Sequence, residues 1–309
     1  MLYELTILVL ITVFSYFTIQ CYNSNKRKKV AKVKNLYFYP FKSLKGIQVD
    51  EIKLTEYGVE YKGIMDRQFI VCNNDQGLDM TSVYKLILVS VEIVGVKTLR
   101  LTAPGMESVI LETPSDSKDI ITVKLDYTTG EAVLCNPEVG EWFTRFLQFD
   151  THLQVASFKK DGRHKRRPIH NPEFQQFIRT NDEIAFQYSG HILLINEESY
   201  LHLKSICKEL ESPLVFRPNI IVNEAKAWEE DKWKCEIAIN NCHLYFFRPC
   251  DRCRVTCVNN KTGQLDSKVT VLRTLGKFRP KVLNSPTFGV VFMCKKYGEI
   301  RIGDEMIKN

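Results

Sequence analysis

The sequence predicts an α+β, β-dominated protein in which two mostly β domains follow an N-terminal transmembrane helix. Three features carry that reading. Residues 5–25 hold no charged side chain. After residue 33, most apolar runs are short, rich in β-branched and aromatic residues, and separated by turn sequences. Sustained helical spacing is confined to two stretches.

Residues 5–21 read LTILVLITVFSYFTIQC. At a helical rise of about 1.5 Å per residue they span roughly 26 Å, enough for a thin bilayer. A cleaved secretory signal is the alternative. Against it, the preceding residues carry Glu4 and no basic side chain, and no small-x-small cleavage site follows. A retained anchor over 1–25 is therefore expected, with a basic linker over 26–32. Lys26, Arg27, Lys28, Lys29, Lys32 and Lys34 favour a body facing the cytosol. The short anchor suits a mitochondrial outer membrane, with the endoplasmic reticulum as the alternative.

The 309 residues are 44% hydrophobic, enough for two domains with real cores. The net charge of +7 comes from two segments, the basic run after the anchor and the loop 159–167. The rest of the body is close to neutral, which argues against general nucleic-acid affinity. With that body in the cytosol, the ten cysteines are expected to be reduced thiols. Cys72, Cys207, Cys235 and Cys294 sit among apolar residues and read as buried small hydrophobes.

The first domain, 33–155, contains strand-like runs at 36–39, 49–54, 68–72, 86–94, 99–102 and 120–125. Val139, Trp142, Phe143, Phe146 and Leu147 then fall at helical spacing. The second domain, 156–309, begins with a basic loop bounded by Pro168 and Pro172. Residues 185–195 read as a strand entering a helix capped by Asn196, with Glu197 and Glu198 in its first turn. Tyr200, Leu203, Cys207 and Leu210 keep the helical period. Further strands are expected at 219–222, 235–239, 243–248, 254–258 and 290–294, with a hairpin-type turn at 259–263.

The residues suited to chemistry are scattered along the chain. Cys250, Cys253 and Cys257 could belong to a zinc site or be ordinary thiols, but no second Cys-x-x-Cys completes a ligand set. Arg252 and Arg254 beside Cys253 are expected to lower its pKa and favour the thiolate that a soft metal requires. Arg217 and Asn219 offer a guanidinium fork for phosphate and an amide for a heterocycle edge, although an arginine pinning a strand end is the plainer reading. Lys42-Ser43, after Tyr39-Pro40, supplies a point charge and a hydroxyl in a tight turn.

Taken together, these motifs resemble those of the molybdenum-cofactor MOSC proteins, within the membrane-anchored amidoxime-reducing group. The resemblance covers nearly the whole chain. It runs through Tyr-Pro-x-Lys-Ser-x-Lys-Gly at 39–46, Asp66-Arg67, Phe-Arg-Pro-Asn at 216–219, Cys-Asp-Arg-Cys at 250–253, Lys-Thr-Gly at 261–263, Ser-Pro-x-Phe-Gly at 285–289 and Ile-Arg-Ile-Gly-Asp at 300–304. It implies an N-terminal MOSC-type β-barrel domain and a C-terminal MOSC β-barrel domain, with a molybdenum pyranopterin between them. Cys253 would be the metal ligand and catalytic centre. Lys42, Ser43, Arg67, Tyr188, Ser189, Arg217, Asn219, Asp251 and Arg252 would contact the cofactor. Gln187, Tyr188 and Val291 depart from the family pattern, where Asp, Thr and Tyr are usual.

The resemblance further implies reduction of small N-hydroxylated compounds such as amidoximes, hydroxamic acids and hydroxylamines. Electrons would come from a b-type cytochrome and its NADH-dependent flavin reductase on the same membrane. Two alternatives stand beside it: a sulfur carrier or transferase using a Cys253 persulfide, and a non-catalytic membrane-tethered scaffold.

Overall fold

A computed structural model describes residues 28–308, apart from 115–118, 126–127, 161, 163–165, 169–177 and 180–181. The expected anchor and part of the 159–167 loop lie outside the described residues. No helix among the described residues is long and apolar enough to cross a membrane.

The architecture is mixed α+β and β-dominated, built on closed barrels. The larger runs in the order Ile192–Asn196, Ile220–Asn223, Lys28–Phe38, Glu305–Lys308, Glu236–Ile239, Cys242–Asp251 and Ser285–Lys296. Because Ile192–Asn196 also pairs with Ser285–Lys296, this sheet closes on itself. The strands Ile192–Asn196 and Ile220–Asn223 are parallel and need a crossover, which the Glu197–Ile206 helix supplies. Asn196 starts that helix by accepting a hydrogen bond from the Glu198 amide at 3.2 Å. The second barrel joins Ile120–Leu125, Thr128–Leu134, Leu153–Phe158, Phe69–Asn73 and Gln76–Gly77. The Pro137–Leu147 helix packs on it through Val139, Trp142, Phe143 and Leu147, the period seen in the sequence.

The domain division at 155/156 is crossed by backbone pairing. Lys28–Phe38 sits between Ile220–Asn223 and Glu305–Lys308, so the first strand among the described residues is a wall of the second domain's barrel. It begins at Lys28, inside the stretch expected to be linker. Gly298–Arg301 makes the reverse exchange, pairing with Glu51–Thr55.

Local chemistry overrides the strand pattern in three places. Residues 86–94 divide into a 3₁₀ turn at Tyr84–Leu88 and a strand at Ser90–Gly95. Residues 254–258, although β-branched, form a 3₁₀ turn at Arg254–Cys257. There the Thr256 amide and hydroxyl both donate to the Cys253 carbonyl, at 3.2 and 2.9 Å, and replace ladder bonds. Of residues 185–195, just Ile192–Asn196 is strand, because the buried Arg166 guanidinium donates to the carbonyls of Ala185 and Gln187. Cys72, Cys207 and Cys294 are buried as expected, while Cys235 is partly exposed.

His191 closes this irregular segment. Its Nδ1 accepts a hydrogen bond from the Cys294 amide at 3.1 Å, so the proton rests on Nε2, which donates to Glu183 O at 2.7 Å. Burial holds its pKa below the usual imidazole value. A base depressed in this way contributes stability that is complete above its unfolded pKa, about 6.5, and is lost as pH falls below it. The urea midpoint should therefore drop between pH 7 and pH 5. In His191→Gln that pH-dependent loss should be smaller, and an unchanged slope would rule out this burial effect.

Candidate functional site

A cavity of about 420 Å³ lies where the two barrels meet. All ten residues expected from the sequence line it: Lys42, Ser43, Arg67, Tyr188, Ser189, Arg217, Asn219, Asp251, Arg252 and Cys253. Gln187 and Val291, two of the departures from the family pattern, line it as well.

Three of these residues are presented by tight turns. Ser43, Arg67 and Arg217 have φ of 73°, 54° and 56°, in the left-handed region that non-glycine residues seldom occupy. The Arg67 amide donates to Tyr39 O and the Arg217 amide to Leu214 O, which fix the turns. The Lys42 amide donates to Phe69 O at 2.9 Å, pinning the Lys42-Ser43 turn to the smaller barrel.

Below them lies a buried polar knot. The Asp66 carboxylate accepts from the Tyr39 amide at 2.9 Å, from Asn219 Nδ2 at 3.1 Å, and from Arg67 Nη1. Arg67 also donates to Asn219 Oδ1 and to the Arg217 carbonyl, both at 3.2 Å. The Tyr39 ring stands between the two guanidiniums, 4.3 Å from that of Arg67 and 4.5 Å from that of Arg217. Burial, helped by the Arg67 charge, lowers the Arg217 pKa to about 10. Its Nη1 donates to Leu44 O at 2.6 Å, whereas its Nη2 is buried without a partner among the described residues.

The other polar groups divide into framework and free. Arg252 is spent on the carbonyls of Phe288 and Phe216. Asp251 accepts from Arg248 Nη2. Ser43 Oγ accepts from the Met80 amide at 3.0 Å, which leaves its own proton to donate. Ser189 is buried and Tyr188 is exposed.

Cys253 is the exposed cysteine of the cavity, while Cys250 is partly buried and Cys257 fully so. No three His, Cys, Asp or Glu side chains among the described residues gather as a metal cluster. The expected pull of Arg252 towards the thiolate is present but outweighed. Although the residue is exposed, the protein crowded around its thiol still desolvates the charged form and raises the pKa, outweighing the Val255 amide and Arg252, which pull it down.

Sequence reasoning missed the Asp79-Met80-Thr81 segment of the cavity wall. An Asp-x-Thr turn can be read from the sequence, but nothing local says that it approaches Cys253. Tyr39 and Asp66 were visible as motif residues without a role.

The paired barrels with a cysteine-bearing cavity between them define a MOSC-type protein. Residues 30–150 match the MOSC N-terminal beta barrel domain and residues 181–307 the MOSC domain. Mitochondrial amidoxime reducing component 2 of Rattus norvegicus is 31% identical over 294 residues, spanning 91% of this chain and 84% of that protein. Its Bos taurus counterpart is 30% identical, spanning 90% and 83%. Mitochondrial amidoxime-reducing component 1 of Danio rerio is 28% identical, spanning 92% and 86%. The chain belongs to the MOSC-domain family, among relatives named amidoxime-reducing components.

Two outcomes follow from the knot and the thiol. Tyr39→Phe should leave stability within about 0.5 kcal/mol, because the buried hydroxyl has no partner among the described residues. Tyr39→Leu should cost about 3 kcal/mol in urea unfolding, through two lost cation–π contacts and the gap left behind. Equal effects of the two substitutions would refute the sandwich. In cofactor-free protein, iodoacetamide labelling of Cys253 should keep rising beyond pH 9. A plateau by pH 8, read by peptide mass spectrometry, would contradict the raised pKa.

Proposed function

We propose that the chain is a molybdenum-cofactor-dependent reductase of small N-hydroxylated compounds, namely amidoximes, hydroxamic acids and hydroxylamines. One observation carries the reading: Cys253, an exposed residue, shares a cavity with the Arg67–Arg217 guanidinium pair, whose Arg217 Nη2 is buried with no partner among the described residues. A single buried carboxylate, Asp66, faces two arginines there, so the site has room in its charge balance for an anion. The phosphate of a pyranopterin has that chemistry. The names of the relatives support the same reading.

In this assignment Cys253 holds the metal, and the bound group supplies the two-electron chemistry that removes an N-bound oxygen as water. Arg217 and Arg67 bind phosphate, with Lys42 adding a point charge and Ser43 a hydroxyl donor. Arg252 and Asn219 chiefly hold the wall, since their side-chain groups are already bonded to protein. Asp251, paired with Arg248, fixes the turn that presents Cys253. Ser189 lies within the wall and Tyr188 at its exposed edge. Electrons come from a b-type cytochrome and its NADH-dependent flavin reductase. The anchor at 1–25 holds the protein on the mitochondrial outer membrane, which raises the effective concentration of that donor. The relatives are named as mitochondrial, in keeping with this location.

The test is molybdenum content and pterin fluorescence of the detergent-solubilised full chain, made in a host that synthesises the cofactor. Near-stoichiometric molybdenum is expected in wild type, with loss of metal and at least a hundredfold loss of amidoxime turnover in Cys253→Ser. Full activity in that variant would refute the role of Cys253. A persulfide on Cys253 without molybdenum would indicate sulfur transfer instead.

A further inference from the structure

Asp79 lines the cavity but belongs to neither the arginine knot nor the Cys250–Cys253 turn. Its side chain is fixed by its own turn. Oδ1 accepts from the Thr81 amide at 2.8 Å and from the Thr81 hydroxyl, while Val83 N donates to the Asp79 carbonyl at 2.8 Å. The Met80 amide ties the same turn to Ser43 Oγ. Two carboxylates line the cavity, and Asp251 is paired with Arg248. Asp79 is the other, and its Oδ2 has no partner among the described residues. Asp79 and Cys253 line the same cavity. Gln187 lines the same cavity with an amide, its Nε2 held by the carbonyls of Tyr57 and Asp66 at 3.1 and 2.9 Å. An amide brings no charge to a substrate, so Asp79 carries the free acidic group of this cavity.

We propose that Asp79 is a specificity-determining residue that binds the N–H face of amidine-forming substrates, and so favours amidoximes over hydroxamic acids. The proposal rests on the reductase reading above. Reduction of an amidoxime uses two electrons and two protons: the N–O bond breaks, the oxygen leaves as water, and an amidine remains. The amidine then takes a proton from solvent and becomes a cation that a carboxylate stabilises. A hydroxamic acid gives a neutral amide by the same balance and gains nothing from that charge. A reduced viologen supplies the electrons in vitro.

The experiment compares wild type, Asp79→Asn and the surface control Asp75→Asn, all as full chains. Asn keeps an oxygen for the Thr81 bonds, so the turn should persist. Benzamidine binding is measured by calorimetry on cofactor-free protein, and kcat/KM on loaded enzyme with benzamidoxime and with benzhydroxamic acid. Asp79→Asn should weaken benzamidine about tenfold, the worth of one charge-assisted hydrogen bond. It should lower kcat/KM about tenfold for benzamidoxime and less than threefold for benzhydroxamic acid. Asp75→Asn should change neither. Equal losses on the two substrates, or benzamidine binding that is absent in wild type or unaltered in Asp79→Asn, would overturn the proposal. Asp79-dependent benzamidine binding in a protein that takes up no molybdenum and reduces neither substrate would instead refute the reductase reading, leaving Asp79 as an amidinium site.

Discussion

The buried carboxylate of Asp66 joins the two halves of the molecule and at the same time arranges the cavity between them. Its bonds reach the Tyr39 amide at the end of the first strand, Arg67 in the next residue, and Asn219 from the second domain. Each bond satisfies a group that burial would otherwise penalise, and the removal of one partner would leave a charge stranded. The Tyr39 ring then spaces the two arginines, and Gly46 lets the ring lie flat. A Cβ at residue 46 would stand 2.5 Å from Tyr39 Cε1. Charge, ring and glycine thus act as one unit, and the placing of two guanidiniums at the cavity follows from it.

The strand exchange explains why this unit can be rigid. Lys28–Phe38 leads into Tyr39 and is bonded on both sides to strands of the second domain, whereas Phe69–Asn73 follows Asp66-Arg67 and belongs to the smaller barrel. The chain segment carrying Tyr39, Lys42, Ser43 and Arg67 is therefore held at both ends by different barrels. A hinge at this boundary would have to break β pairing, not slide one surface over another. This suits a site whose ligand groups come from both halves and must keep their spacing.

The environment of Cys253 separates recognition from reactivity. Neighbouring arginines in the sequence suggest an activated thiol, but Arg252 spends its guanidinium on carbonyls and burial dominates. A thiol held protonated is a poor nucleophile on its own and an acceptable metal ligand once a cation replaces the proton. The surroundings of Cys253 therefore disfavour free thiolate chemistry at this position.

By itself the sequence determined the β-dominated class and the Pro137–Leu147 helix from local pattern, while short motifs and the family resemblance picked out ten residues that line the cavity. Turn chemistry at 259–263 was equally legible, since Gly263 must take a φ of 66° there. Tertiary structure decided what depends on partners distant in the chain. Arg166 unpaired residues 185–191 from any strand, Thr256 bent 254–258 into a 3₁₀ turn, and Lys28–Phe38 crossed into the second domain's barrel. It also decided which polar groups are free: Asn219 and Arg252 are bonded to protein, while Asp79 and Ser43 keep capacity for a ligand. Hydrogen-bond satisfaction and burial are sums over neighbours in space, and a linear pattern carries no record of them.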